Sequence, residues 1–324
     1  MCKLFSLSTG LFICMLACQP PKDARRNFVE AGTEQVDPTK IYSLIGEELP
    51  EKQLSQVDKV AFQENLEIAK AVYESSPDSL DAIIWYGRRL AYLGSYIEAI
   101  KVYSDGLKLY PDAYQLYRHR GHRYITTRQL SKAIDDFELA AYYSLNQENR
   151  IEPDGKPNRL NQPISNDKFN IWYHFGLAYY LRGRYDKALS AYTKCEEFCD
   201  NNDLKVAVNY WQYLTYLKLG NAELAQALLD SVEVDQELVE NRSYHDLLML
   251  FKKEKSIEAL QMKLPELESG LDPTYGYGMG IFYRMEAENE KANEVFLRVA
   301  ASQKWDAFGY IAAEAELKTI FPVP

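Results

Sequence analysis

From residue 60 onward the chain falls into runs of about a dozen residues. Apolar side chains recur every third or fourth position, and each run closes on a turn signal. Val60, Phe62, Leu66, Ala69, Val72 and Tyr73 form the first run, which stops at Ser76-Pro77-Asp78. That spacing puts the apolar groups on one face of a helix and predicts a capping helix over 57–79. The next two stretches, 80–113 and 114–147, are 34-residue units in phase. Gly87 recurs as Gly121, Leu90 as Tyr124, Ala99 as Ala133 and Tyr103 as Phe137. Each unit predicts two helices, with Gly94 opening the turn between them and Pro111 ending the second.

The pattern continues at 169–202 with Trp172, Phe175, Gly176, Tyr179, Gly183, Tyr185, Ala188 and Tyr192. A fourth unit at 206–239 keeps Tyr216, Gly220 and Ala225 but not the early glycine. A fifth at 240–268 keeps Leu247, Leu250 and Ala259, and a sixth at 273–306 keeps Gly280, Tyr283, Ala292 and Phe296. Residues 307–320 predict a terminal helix that covers the last apolar face. An insertion at 148–168, with Pro153, Gly155, Pro157 and Pro163, interrupts the series. A loop of that length inside an array suggests either a lid over a site or a passive excursion.

Fixed large and small positions at this period resemble those of tetratricopeptide repeat (TPR) proteins over 80–300, up to the terminal helix. The resemblance implies an all-α, TPR-type solenoid, a right-handed superhelix of antiparallel helix pairs occupying 80–320. Many of the 25 tyrosines then become packing residues, Tyr86, Tyr96, Tyr103, Tyr117 and Tyr124 among them. It also implies that the first helix of each unit lines a concave groove. The sixth position of five successive units reads Trp85, His119, His174, Trp211 and His245. The fifth position adds Arg118, Tyr173, Tyr210 and Tyr244, the ninth Arg88 and His122, and the twelfth Tyr180. All 4 histidines fall on groove addresses, although none was needed to set the frame.

The start of the chain carries an address. Lys3 precedes an apolar stretch from Leu4 to Ala17, broken only by Ser6, Ser8, Thr9 and Gly10. It is about half the ~20 residues a spanning helix needs and has signal-peptide proportions. Met15-Leu16-Ala17-Cys18 resembles a bacterial lipoprotein processing box, which implies a signal peptide at 1–17 and lipidation of Cys18. Gln19 follows where an inner-membrane retention Asp would stand, so the resemblance implies the outer membrane of the cell envelope. Residues 18–56 then read as a lipidated, flexible tether. Of 5 cysteines, only Cys195 and Cys199 stand in the body; four apart on one predicted helix, they read as packed thiols.

Net charge is −10 and no block of Lys or Arg forms a stripe. This argues against nucleic acid or an anionic lipid surface as the main partner and leaves the lipid anchor as the membrane contact. No phosphate loop, nucleophile elbow or zinc spacing appears. The favoured expectation is therefore an envelope-anchored scaffold that binds a protein or peptide segment in its groove. Arg88, Arg118, His119, His122 and His174 would be polar anchors, with Trp85, Tyr173, Tyr210 and Trp211 as apolar ones. No cofactor is expected. Two alternatives stand beside it. One is an enzyme using His119, His122 and His174 for acid–base or metal chemistry, with Glu152 or Asp154 supplying a carboxylate. The other is a structural adaptor whose groove is filled.

Overall fold

Glycine and an aromatic residue sixteen positions apart build the array. Gly87 faces Tyr103, Gly121 faces Phe137, Gly176 faces Tyr192 and Gly280 faces Phe296, so that a Cβ on any of these glycines would press against the ring. All four rings are buried. Removing a side chain from one helix and adding a ring on its neighbour lets the two approach while the interior stays dense. Beside each ring sits a small residue, Ala99, Ala133, Ala188 and Ala292, none of which is exposed at all.

The computed structural model describes residues 37–262 and 271–320. The expected signal peptide 1–17, lipidated Cys18, the first half of the tether and the end of the fifth unit lie outside the described residues. Helix α1 (Gln56–Ser75) comes first, capped by the Ser55 hydroxyl, which accepts from Asp58 N–H. Then follow pairs of antiparallel helices: α2 (Leu80–Tyr92) with α3 (Tyr96–Leu109), and α4 (Tyr114–Thr126) with α5 (Leu130–Ser144). After the insertion come α6 (Asp167–Leu181) with α7 (Tyr185–Glu196) and α8 (Asn202–Lys218) with α9 (Ala222–Ser231). The last pairs are α10 (Arg242–Phe251) with the short α11 (Ile257–Gln261), and α12 (Pro273–Met285) with α13 (Asn289–Ala300). Helix α14 (Phe308–Ile320) closes the series. This is an all-α, TPR-type solenoid, and no described helix is long and apolar enough to cross a membrane.

The turns inside the pairs are left-handed. Gly94, Gly183 and Gly220 take φ of 92°, 73° and 70°, as glycine does without cost, whereas Arg128, Lys253 and Ala287 take 60°, 64° and 60° in the other pairs. Three details depart from the expected frame. Helix α8 begins at Asn202, four residues before the expected unit, because Asn201 caps it by accepting from Leu204 N–H. In α11 the buried residue is Leu260, and Ala259 faces solvent, so the fifth unit is shifted by one position.

The third departure is residues 37–55, expected to be part of a flexible tether. Ile41, Leu44, Ile45 and Leu49 instead pack against the core. Tyr42 and Glu48 form an isolated antiparallel bridge, and Lys52 pairs with Asp306 at 2.8 Å. Those short apolar pieces remove enough surface from water to order the segment, at roughly 25 cal/mol per Å².

The end of the chain returns over its beginning. Helix α14 packs on α12 and α13 as a seventh first-helix would, and it also reaches α6. Glu314, fully buried, accepts from Arg128 Nε and Nη2 at 3.0 and 2.8 Å and from Leu44 N–H at 3.2 Å. Tyr96 at the start of α3 donates to Asp306 at 2.8 Å. The turns of the first two pairs are therefore joined to the C-terminal cap.

Candidate functional site

Every residue expected in the groove lies on the first helix of its pair, and they collect in three places along the inner wall. At the N-terminal end, α2 and α4 direct Arg88 and Arg118 at the insertion. Glu152 lies with one carboxylate oxygen 3.0 Å from Arg118 Nε and the other 3.9 Å from Arg88 Nη2. Asn170 Nδ2 donates to the same carboxylate at 3.0 Å. Arg88 also donates to the Pro153 carbonyl, and Arg89 to that of Gly155, both at 2.7 Å. Both guanidinium groups lie over Trp85, at 4.4 and 4.8 Å from its ring. Burial pulls the Arg118 guanidinium below its ordinary value, partly countered by the Glu152 charge.

Next along the wall, His122 and His174 meet with ring centroids 4.4 Å apart. Phe308, the first residue of α14, lies 5.4 Å from the first ring and 5.5 Å from the second. His119 sits behind them, stacked on Tyr103 at 5.8 Å. The hydrogen bonds fix the tautomers. Arg118 Nη1 can only donate, so the His119 Nδ1 at 3.1 Å is the acceptor. His174 Nδ1 lies 2.6 Å from the Asn170 carbonyl and so carries the proton. Burial holds all three imidazoles well below the ordinary histidine value, and the neighbouring arginines push them in the same direction. They are neutral rings inside a cationic wall.

The third place is aromatic throughout. Tyr180 and Tyr277 share a hydrogen bond of 2.6 Å between their hydroxyls, although α6 and α12 belong to pairs three units apart. Tyr173 donates to Tyr244 at 3.3 Å, and Tyr210 stacks on Tyr244 at 4.7 Å. Trp211 sets its edge against Tyr180 at 5.2 Å and lies along Tyr277 at 6.0 Å. Tyr210 and Trp211 are each only 1% exposed. His245 stands apart from the other histidines, its Nε2 held 2.9 Å from the Glu233 carbonyl.

The addresses read from the sequence are thus inward-facing, and the chain's own segments occupy the space in front of them. The expected polar anchors split into an arginine site under the insertion and a histidine cluster under α14. The expected apolar anchors Tyr173, Tyr210 and Trp211 are core. For a metal the donor set fits poorly. His119 Nδ1 is taken by a guanidinium, and His174 Nδ1 carries a proton. Arg118 and Arg123 surround the rings with positive charge, and among the described residues no group of three or more His, Cys, Asp or Glu is placed to hold an ion. Cys195 is buried, with its Sγ 3.5 Å from the Phe169 carbonyl, as expected for a packed thiol.

The helix-period reading did not find Phe308, Arg128 or Glu314. Arg128 did leave a trace in the sequence, because it stands where Gly94, Gly183 and Gly220 stand in three other pairs.

Neither a family model nor a curated protein matches the sequence. Among solved structures the chain is similar to a tetratricopeptide repeat protein from Parabacteroides merdae, with 14% identity over 80% of this chain and 94% of the other, at a TM-score of 0.47. It is similar also to YrrB, described as a TPR protein with an unusual peptide-binding site: 15% identity, 78% and 99% of the two chains, TM-score 0.42. The MamA protein aligns at 16% identity over 62% of this chain and 90% of that one, at a TM-score of 0.41.

Proposed function

We propose that this chain is an envelope-anchored, non-catalytic TPR scaffold that holds a protein or peptide partner. Lipid on Cys18 would tether it, at the outer membrane by the reading of Gln19, and the solenoid would carry the partner. The observation that carries the reading is the way the inner wall is filled. Two of its three parts, the histidine cluster and the aromatic centre, are covered by apolar packing from α12 and α14. These parts serve the fold, and neutral imidazoles beside two arginines lack the acid–base partner that proton transfer requires. The third part, around Arg88 and Arg118, is the stretch of groove where charged groups meet a polar cover. A partner is taken up at this rim and along the outer faces of the helix pairs.

Pull-down from an envelope extract tests the rim. Arg118→Ala is expected to lose partners that wild type recovers, with thermal unfolding as the control for folding. Equal recovery by the two proteins would remove the groove from the reading and leave the outer faces. For the anchor, metabolic labelling with palmitate should disappear in Cys18→Ser. Label that persists would end the lipoprotein assignment.

A further inference from the structure

The two segments that cover the inner wall are held by different physics. The C-terminal cap buries Trp305, Tyr310, Ile311, Ala312, Ala313 and Leu317, and its attachment is largely hydrophobic core, with the buried Arg128–Glu314 pair set into it. In the insertion, residues 151–165 bury only Glu152 and Gly155, while Ile151 and Leu160 are 68% and 45% exposed. Its grip on the body is mainly polar, apart from Gly155 packed on the Tyr92 ring: Glu152 with Arg118, Arg88 and Asn170, two carbonyls with Arg88 and Arg89, Lys156 with Asp58, and Asn158 with Glu240. A cleft of about 790 Å³ runs beside its second half, lined by Arg159, Leu160, Pro163, Asp203 and Arg242 among others.

We propose that the insertion is a built-in ligand, and that the Arg88–Arg118–Asn170 site it occupies is a receptor for an acidic peptide segment. The recognised unit is a carboxylate followed by an extended backbone carbonyl, the pair that Glu152 and Pro153 now present. The proline itself favours that extended form, because it fixes its own φ and keeps the preceding residue out of the helical region. Exchange of one carboxylate for another leaves both guanidinium groups paired throughout. The penalty of several kcal/mol for orphaning a buried charge therefore does not oppose displacement. What opposes it is the tethered carboxylate's effective concentration, which for short linkers is on the order of millimolar. The insertion would set a threshold that only a partner with the matching acidic segment, or one bound elsewhere on the scaffold, can cross. This inference rests on the reading of the chain as a peptide-binding scaffold.

The test uses the full mature chain and a fluorescent peptide with the sequence of residues 150–155, Arg-Ile-Glu-Pro-Asp-Gly. Glu152→Gln empties the site of its internal carboxylate. Anisotropy should show this variant binding the peptide at least about tenfold more tightly than wild type, about 1.4 kcal/mol. The same peptide with Gln for Glu should lose that gain, as should the double variant Glu152→Gln/Arg118→Ala. Trypsin should cut faster after Arg159 in Glu152→Gln. Asn158→Ala, which loosens the far anchor and leaves the arginine site intact, gives a second route if Glu152→Gln misfolds; it should raise peptide affinity several-fold. A folded Glu152→Gln or Asn158→Ala chain that binds the peptide no better than wild type overturns the proposal. Peptide binding together with a failed pull-down would leave the site standing and count against the scaffold reading instead.

Discussion

Replacing Arg128 by alanine should open the solenoid at its closure. The guanidinium makes two hydrogen bonds to Glu314 and one to the Trp305 carbonyl at 2.8 Å. It also lies 5.5 and 5.7 Å from the rings of Trp305 and Tyr310. Its side chain is 4% exposed and that of Glu314 0%, so the pair has no water to fall back on. Arg128→Ala leaves the carboxylate buried with Leu44 N–H as its remaining donor, and breaking a buried pair from one side costs about 3–5 kcal/mol. At about 2–4 °C per kcal/mol for chains of 150–250 residues, Tm should fall on the order of 10 °C. A second substitution separates the side chain from the backbone. Arg128 sits at φ 60°, where a non-glycine residue pays about 1 kcal/mol, so Arg128→Gly should be more stable than Arg128→Ala by about that amount. Urea and thermal unfolding followed by far-UV circular dichroism give both differences. Hydrogen exchange over 308–320 shows whether α14 opens before the rest. A loss below about 1 kcal/mol in Arg128→Ala, a surface-pair value, would refute the account of the closure. So would unchanged protection of α14.

Three further outcomes follow from the packing. His119 and His174 stay neutral in the folded chain but protonate near the ordinary histidine value when unfolded. Stability is therefore fully present above about pH 6.5 and falls as the pH drops below it, by about 1.4 kcal/mol per pH unit for each histidine. His174→Asn should reduce that slope by one such increment in urea titrations at pH 5–7. The carboxyl of Glu314, which burial pushes up, acts with the opposite sign and cancels in the comparison; identical slopes would refute the neutral assignment. Gly87→Ala presses a methyl group into the buried Tyr103 ring and should cost about 1–3 kcal/mol in chemical denaturation. Gly183→Ala meets nothing within 4 Å but holds φ 73°; it should lose only about 1 kcal/mol, and a larger loss than at Gly87 would reverse the explanation.

The repeat frame was readable because it is carried by local spacing. A glycine and a ring sixteen residues apart must meet if the two helices pair, and nothing distant enters that inference. The inward addresses of Arg118, His119, His174 and Trp211 followed for the same reason. What stands in front of those addresses depends on contacts between residues far apart in the chain. Tyr180 meets Tyr277 across 97 positions and Arg128 meets Glu314 across 186. Helical periodicity records which face of a helix is apolar, and says nothing of how tightly successive pairs wind. An inward tyrosine reads the same whether it faces an open groove or a helix from three units away. The ordering of 37–55 was hidden for a similar reason: Ile41, Leu44, Ile45 and Leu49 are too few to form a periodic run, and the contacts that hold the segment reach residues as distant as Asp306 and Glu314.

The same winding explains why polarity is distributed unevenly along the inner wall. Where first-helices from pairs three apart touch, water is excluded and the side chains must satisfy one another, hence the paired hydroxyls of Tyr180 and Tyr277. At the N-terminal end the main helix neighbours of α2 are α1, α3 and α4, and an apolar cover over its inner face would have needed another amphipathic helix. The chain supplies an insertion instead, whose single buried acid matches two buried arginines. Charge is the costly way to close a groove, because each group must stay paired. Closing it with a carboxylate is the one arrangement that another carboxylate can replace without leaving a charge unpaired. A cover meant only to stabilise the array would be expected to resemble α14. The insertion has the opposite composition, which is why the arginine site, and not the histidine cluster, is the place to look for a partner.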